Sequence, residues 1–147
     1  MATDLHPHDP AEETFGFDYL PAEVAEVFRD ATGCYQHDLP IAFASMCRLT
    51  AQAVFRDLGE HARLRLFDQV EEIRELADLD EATFQIVRHV LFDRGAGESL
   101  PPRLDRVQAA ILLETVKDLL YQAYIRGEKL RRVLKMRKLF ARAENTG

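Results

Sequence analysis

The stretch IAFASMCRLTAQAVFRDL, Ile41 to Leu58, decides the fold. At about 100° per residue, Phe43, Met46, Cys47, Thr50, Ala53, Val54 and Leu58 cover more than half of a helical circumference. Ser45, Arg48, Gln52 and Arg56 fall on the remaining line, at steps of three and four. A helix that is apolar over so wide an arc sits between other elements. The reading is therefore an all-α protein, a compact bundle of five to six helices with this one at its centre.

Working outward, Pro21 is placed to open a first helix whose apolar face is Val24, Val27, Phe28, Ala31, Cys34 and Tyr35. Leu39-Pro40 restarts the chain into the central helix, and Gly59 is a natural cap at its end. A third helix is expected from His61 to Ala77, with Leu64, Phe67, Val70 and Ile73 or Leu76 inward. Asp80 can cap a fourth, with Phe84, Val87, Val90 and Leu91 apolar. Arg94 to Leu104, RGAGESLPPRL, reads as a loop. Asp105 and Gln108 then form a capping-box signal for a fifth helix, the most apolar after the central one and expected to lie beside it. Gly127 is expected to bend the chain before a last helix from Glu128 to about Ala143.

The domain reading is a mobile arm over 1–17, a bundle over 18–125 and a basic amphipathic helix over 126–147. In the arm, His6, His8 and Asp9 are a weak metal-ligand pattern flanked by prolines. No other metal or cofactor motif is present, and none is expected. No apolar run approaches eighteen residues and no signal-peptide order opens the chain, so a cytoplasmic protein with no membrane partner is expected. Cys34 and Cys47 lack a CxxC spacing and read as reduced core residues.

Charge is divided unevenly. Residues 1–125 carry 11 Lys and Arg against 23 Asp and Glu; residues 126–147 carry 8 against 2. An acidic body with a basic tail points to a partner.

The order FDYLPAEVAEVF, a helix ending GCY, then FASMCRLTAQAVFRDLG resembles the domain of unknown function family numbered 4145. Its members show a proline-initiated helix ending in a Cys-aromatic pair, then a helix built on Met-Cys-Arg-Arg-x-Leu-Glu and closed by Gly. The matching residues are Pro21, Cys34, Tyr35, Met46, Cys47, Arg48 and Gly59, within a similarity over about 15–140. That family is similar to the HEPN superfamily of helical, often dimeric bundles, some of them ribonucleases using Arg and His and others inert partners. The resemblance implies an HEPN-like bundle and a homodimer. Where the family reads Ile-Arg-x-x-Gly-Asn-x-x-x-His, this chain has Val87-Arg88-His89-Val90 and lacks the Gly-Asn and the last His. The ribonuclease spacing of Arg and His occurs only as Arg56 to His61, across the Gly59 cap.

Two candidate sites remain. On the line of Ser45, Arg48, Gln52 and Arg56, the guanidiniums with the Gln52 amide between them can grip a phosphate or carboxylate, or Arg48 can be an internal ion-pair residue; Arg88 and His89 carry the same two readings. On the last helix Arg131, Lys135, Lys138 and Arg142 form a cationic stripe opposite Val133, Leu134, Met136, Phe140 and Ala141. The stripe can follow nucleic acid or an acidic protein, or it can serve the helix dipole and the acidic body. The sequence reading is a non-enzymatic binding or regulatory module acting through a partner or an anionic ligand. The alternative is a nucleic-acid-binding protein using the basic C-terminal helix, with HEPN-type ribonuclease activity.

Overall fold

The computed structural model describes residues 15–93 and 100–146. Most of the expected arm, the His6–His8–Asp9 pattern and the first six residues of the loop from Arg94 lie outside them. Among the described residues six α-helices follow in order: α1 (Ala22–Gln36), α2 (Pro40–Leu58), α3 (Glu60–Leu76), α4 (Glu81–Phe92), α5 (Arg106–Leu120) and α6 (Arg126–Thr146). A 3₁₀ turn, Phe17–Tyr19, precedes α1, and a π-helical turn, Tyr121–Ile125, separates α5 from α6. The fold is all-α, with no strand among the described residues. The chain divides into two units, Pro21–Leu119 and the two ends of the chain.

In the larger unit, α2 lies against α1, α3 and α4. Phe43, Ala44, Cys47, Thr50, Ala51, Ala53 and Val54 bury its wide apolar arc. Val24, Phe28 and Ala31 meet it from α1, and Phe84, Val87, Val90 and Leu91 fill the core from α4. Tyr35 stays 36 % exposed, its ring against Phe43 at 5.3 Å. The fifth helix was expected beside the second; its side-chain tie is to α3, where Gln69 Nε2 donates to Asp118 Oδ2 at 2.6 Å.

Local signals mark most helix ends. Pro40 opens α2, whereas Pro21 sits one residue before α1, in an extended conformation. Gly59, at φ +88°, both closes α2 and opens α3, and a side chain there is strained in that left-handed region. Thr83 N–H donates to Asp80 Oδ1 at 2.7 Å, capping α4. The capping box of α5 is reciprocal: Gln108 N–H donates to Asp105 Oδ1 at 2.8 Å, and Asp105 N–H donates to Gln108 Oε1 at 3.0 Å. The helices α1 and α3 each end through an aspartate with positive φ, Asp38 and Asp78.

Two expectations are corrected. On α3 Val70 is inward as expected, but its buried companions are Ala62 and Leu66, while Leu64 and Leu76 are 55 % and 88 % exposed. Phe67 sits at the side of that face, packing edge-on against Phe92 at 5.3 Å, so the helix turns its smaller aliphatic line inward. Gly127 does not bend the chain; it lies inside α6, and the irregularity falls on the π turn before it. Glycine tolerates helical dihedrals, so with no tertiary demand for a turn the helix runs through it.

In the smaller unit, Ile125 is fully buried and its side chain packs over Gly16. Arg132 stacks on the Tyr19 ring at 4.5 Å and donates to its hydroxyl at 3.1 Å. Every residue from Lys129 to Glu144 is exposed.

Candidate functional site

The last four carbonyls of an α-helix have no partner within it. On α4 two of them are met by arginines from neighbouring helices. Arg48, 6 % exposed on α2, donates from Nε to the Val90 carbonyl at 3.3 Å. Arg63, from α3, donates through its guanidinium to the Phe92 carbonyl and lies 3.5 Å from Glu60 Oε1. Both put positive charge at the negative end of the α4 dipole. Of the residues proposed to grip an anion, Arg48 is thus engaged within the fold, and Gln52 is exposed one turn on.

Arg88 has a different setting. It lies in a groove of about 700 Å³ between α3 and α4, lined also by Arg63, Phe67, His89, Phe92 and Asp93. Its guanidinium rests over the Phe67 ring at 5.4 Å, and it pairs with no carboxylate among the described residues. Beside it, His89 Nδ1 lies 2.9 Å from Asp93 Oδ2. With Asp93 accepting from Nδ1–H, the ring carries its other nitrogen, Nε2, as an acceptor, or as a donor once the ring is protonated. Two guanidiniums and an imidazole therefore share one open groove, on a body that is otherwise acidic. Such a set can hold a planar or tetrahedral anion, Arg88 approaching it through its fork of N–H donors. Sequence reading picked out Arg88 and His89 and missed Arg63. Nothing local marks Arg63, because its role is set by a carbonyl 29 residues away.

The basic stripe is partly committed. Arg131 pairs with Glu128 at 2.9 Å on its own helix, while Lys135 and Lys138 are exposed and make no ion pair among the described residues. Arg142 is exposed two turns after Lys135. The Arg56–His61 spacing straddles the α2–α3 junction at Gly59, and the Arg56 guanidinium pairs with Glu23 of α1.

Cys34 and Cys47 are free thiols. Burial pushes the Cys47 thiol well above its ordinary pKa, with the nearby Cys34 adding to the shift. A buried, protonated thiol is a poor nucleophile and a poor metal ligand. Among the described residues no three His, Cys, Asp or Glu converge on a metal position, and no helix is long and apolar enough to cross a membrane. No family model, curated protein or solved structure matches the chain.

Proposed function

We propose that the chain is a non-enzymatic helical binding module of the HEPN-like kind, working as a cytoplasmic homodimer, that receives an anionic group in the groove between α3 and α4. Arg88 carries the reading: an exposed guanidinium, steadied on Phe67 and unpaired with any carboxylate among the described residues, beside Arg63 and His89. Stacking fixes the guanidinium without using its N–H donors, which leaves them for a ligand. Sodium pyrophosphate serves as the probe. As it is titrated at low ionic strength, the His89 ring resonances should shift and saturate, and Arg88→Ala should abolish the shift at an unchanged thermal midpoint. A wild-type ring that does not respond, or one that responds equally without Arg88, overturns the reading.

A second reading keeps nucleic acid on α6, favoured by the exposed cations Lys135 and Lys138, about one turn apart and without an ion pair among the described residues. If it holds, labelled RNA or duplex DNA binds at low salt, weakens steeply as salt rises, and is lost in Lys135→Glu/Lys138→Glu. A ribonuclease activity through Arg56 and His61 is disfavoured by the Arg56–Glu23 pair, and RNA incubated with the protein should remain intact.

A further inference from the structure

The last helix presents six large apolar side chains, Leu130, Val133, Leu134, Met136, Leu139 and Phe140, each more than half exposed. Val133, Met136 and Phe140 fall within about 60° of arc at the helical angle per residue, so they form one ridge. Contiguous apolar surface of this extent marks an interaction site. The other unit holds an apolar concavity. Between the end of α3 and the start of α5 lies an apolar groove of about 670 Å³, walled by Ile73, Leu76, Leu79, Val107, Ala110 and Ile111. Leu76 and Val107 are its most exposed members, at 88 % and 68 %.

Charge decides between occupants. Residues 126–147 carry 8 cations against 2 acids, so two copies of α6 laid side by side repel. Residues 71–80, which pass the groove, carry 5 acids against 1 cation, and from α5 two acids, Glu114 and Asp118, line it with one cation, Arg106, at its start. Arg137 flanks the apolar ridge at about 40° from its edge, and Lys129 opens the ridge one turn before Val133 within the same arc, both placed to meet acids at the groove.

We infer that the groove between α3 and α5 seats the apolar ridge of α6 from a second copy of this chain. The inference rests on the homodimer reading above and names the surface that makes it. Under two-fold symmetry the exchange is reciprocal, so both ridges and both grooves are covered and the assembly closes at two. The apolar side chains from Leu130 to Phe140 span about 15 Å of helix, and reciprocal seating buries that length twice.

Light scattering on the full chain tests it, with Leu76→Asp in the groove and Phe140→Asp on the ridge. Both positions are exposed, so circular dichroism should be unchanged. The wild type should have twice the 16.8 kDa chain mass, and each variant alone should have 16.8 kDa at low micromolar concentration. A 1:1 mixture of the two variants should regain dimer, because one ridge and one groove remain intact across the pair. A dimer lost only in Phe140→Asp and not recovered on mixing places α6 against α6; the homodimer then stands and this inference falls. A wild type that is monomeric at every concentration defeats both. If that monomer sediments with vesicles containing phosphatidylglycerol and Phe140→Asp does not, the ridge faces a lipid surface.

Discussion

Arg48 and Arg88 are the same side chain in opposite circumstances, and substitution should separate them. Removing Arg48 strips a buried donor from the Val90 carbonyl, which should cost about 1–3 kcal/mol and lower the midpoint by several degrees. Calorimetry on Arg48→Ala measures it; Arg88→Ala should leave the midpoint within a degree or so. Asp80 adds a pH dependence. Its hydrogen bonds to Thr83, side chain and backbone, hold its carboxyl below the usual carboxylate range. A group with a depressed folded pKa contributes stability above its unfolded pKa and loses it as pH falls through the folded one. The gap in denaturant midpoint between wild type and Asp80→Ala should therefore be open at neutral pH and close below about pH 4. A gap that stays constant with pH would show that the cap acts through shape alone. With a thiol reagent under native conditions, Cys34 should react and Cys47 should react only on unfolding.

At the scale of elements, much was written in the chain. The Asp80 cap, the Asp105–Gln108 box, the Gly59 junction and the broad arc of α2 each follow from residue type at a local spacing. Of the inward face of α3 only Val70 followed, because Leu64, Phe67 and Leu76 compete with Ala62 and Leu66 for the rest, and only the neighbours decide. The π turn at Tyr121–Ile125 has no sequence mark either. Glycine substitutions read these differences. Gly127 lies in the exposed first turn of α6, which runs on from the π turn without a break, and a Cβ there meets only the Arg131 side chain, at 3.7 Å or more, so Gly127→Ala should stabilise by about 0.5–1 kcal/mol. Gly59→Ala, at φ +88°, should destabilise instead. Asp78 holds a left-handed end for α3, with Leu79 N–H donating to the Arg74 carbonyl at 3.1 Å. A branched side chain suits that conformation poorly, and Asp78→Val should cost about 1–2 kcal/mol.

For the whole molecule, composition carried the fold class and the division of charge, but not the anion groove. Arg63, Arg88 and His89 come from two helices whose register is set by packing, so no spacing along the chain brings them together. The apolar face of α6 was legible as a face, while the groove proposed to receive it depends on which of α3's leucines turn outward. If the homodimer is correct, the thermal midpoint should rise with protein concentration, since association stabilises by mass action. A midpoint independent of concentration across two decades would argue for a monomer.

The arginines that cross to the end of α4 also bear on the order in which the chain folds. A helix terminus ordinarily frays, and its amides trade hydrogen with solvent long before the rest opens. Here the terminal carbonyls of α4 are held by donors 42 and 29 residues distant along the chain, so that end can close only once α2 and α3 have docked. In pulse-labelled refolding, protection of the last turn of α4 should arrive with the docking of α2 and α3 and later than that of its capped first turn. In the native protein that last turn should exchange as slowly as the middle of the helix.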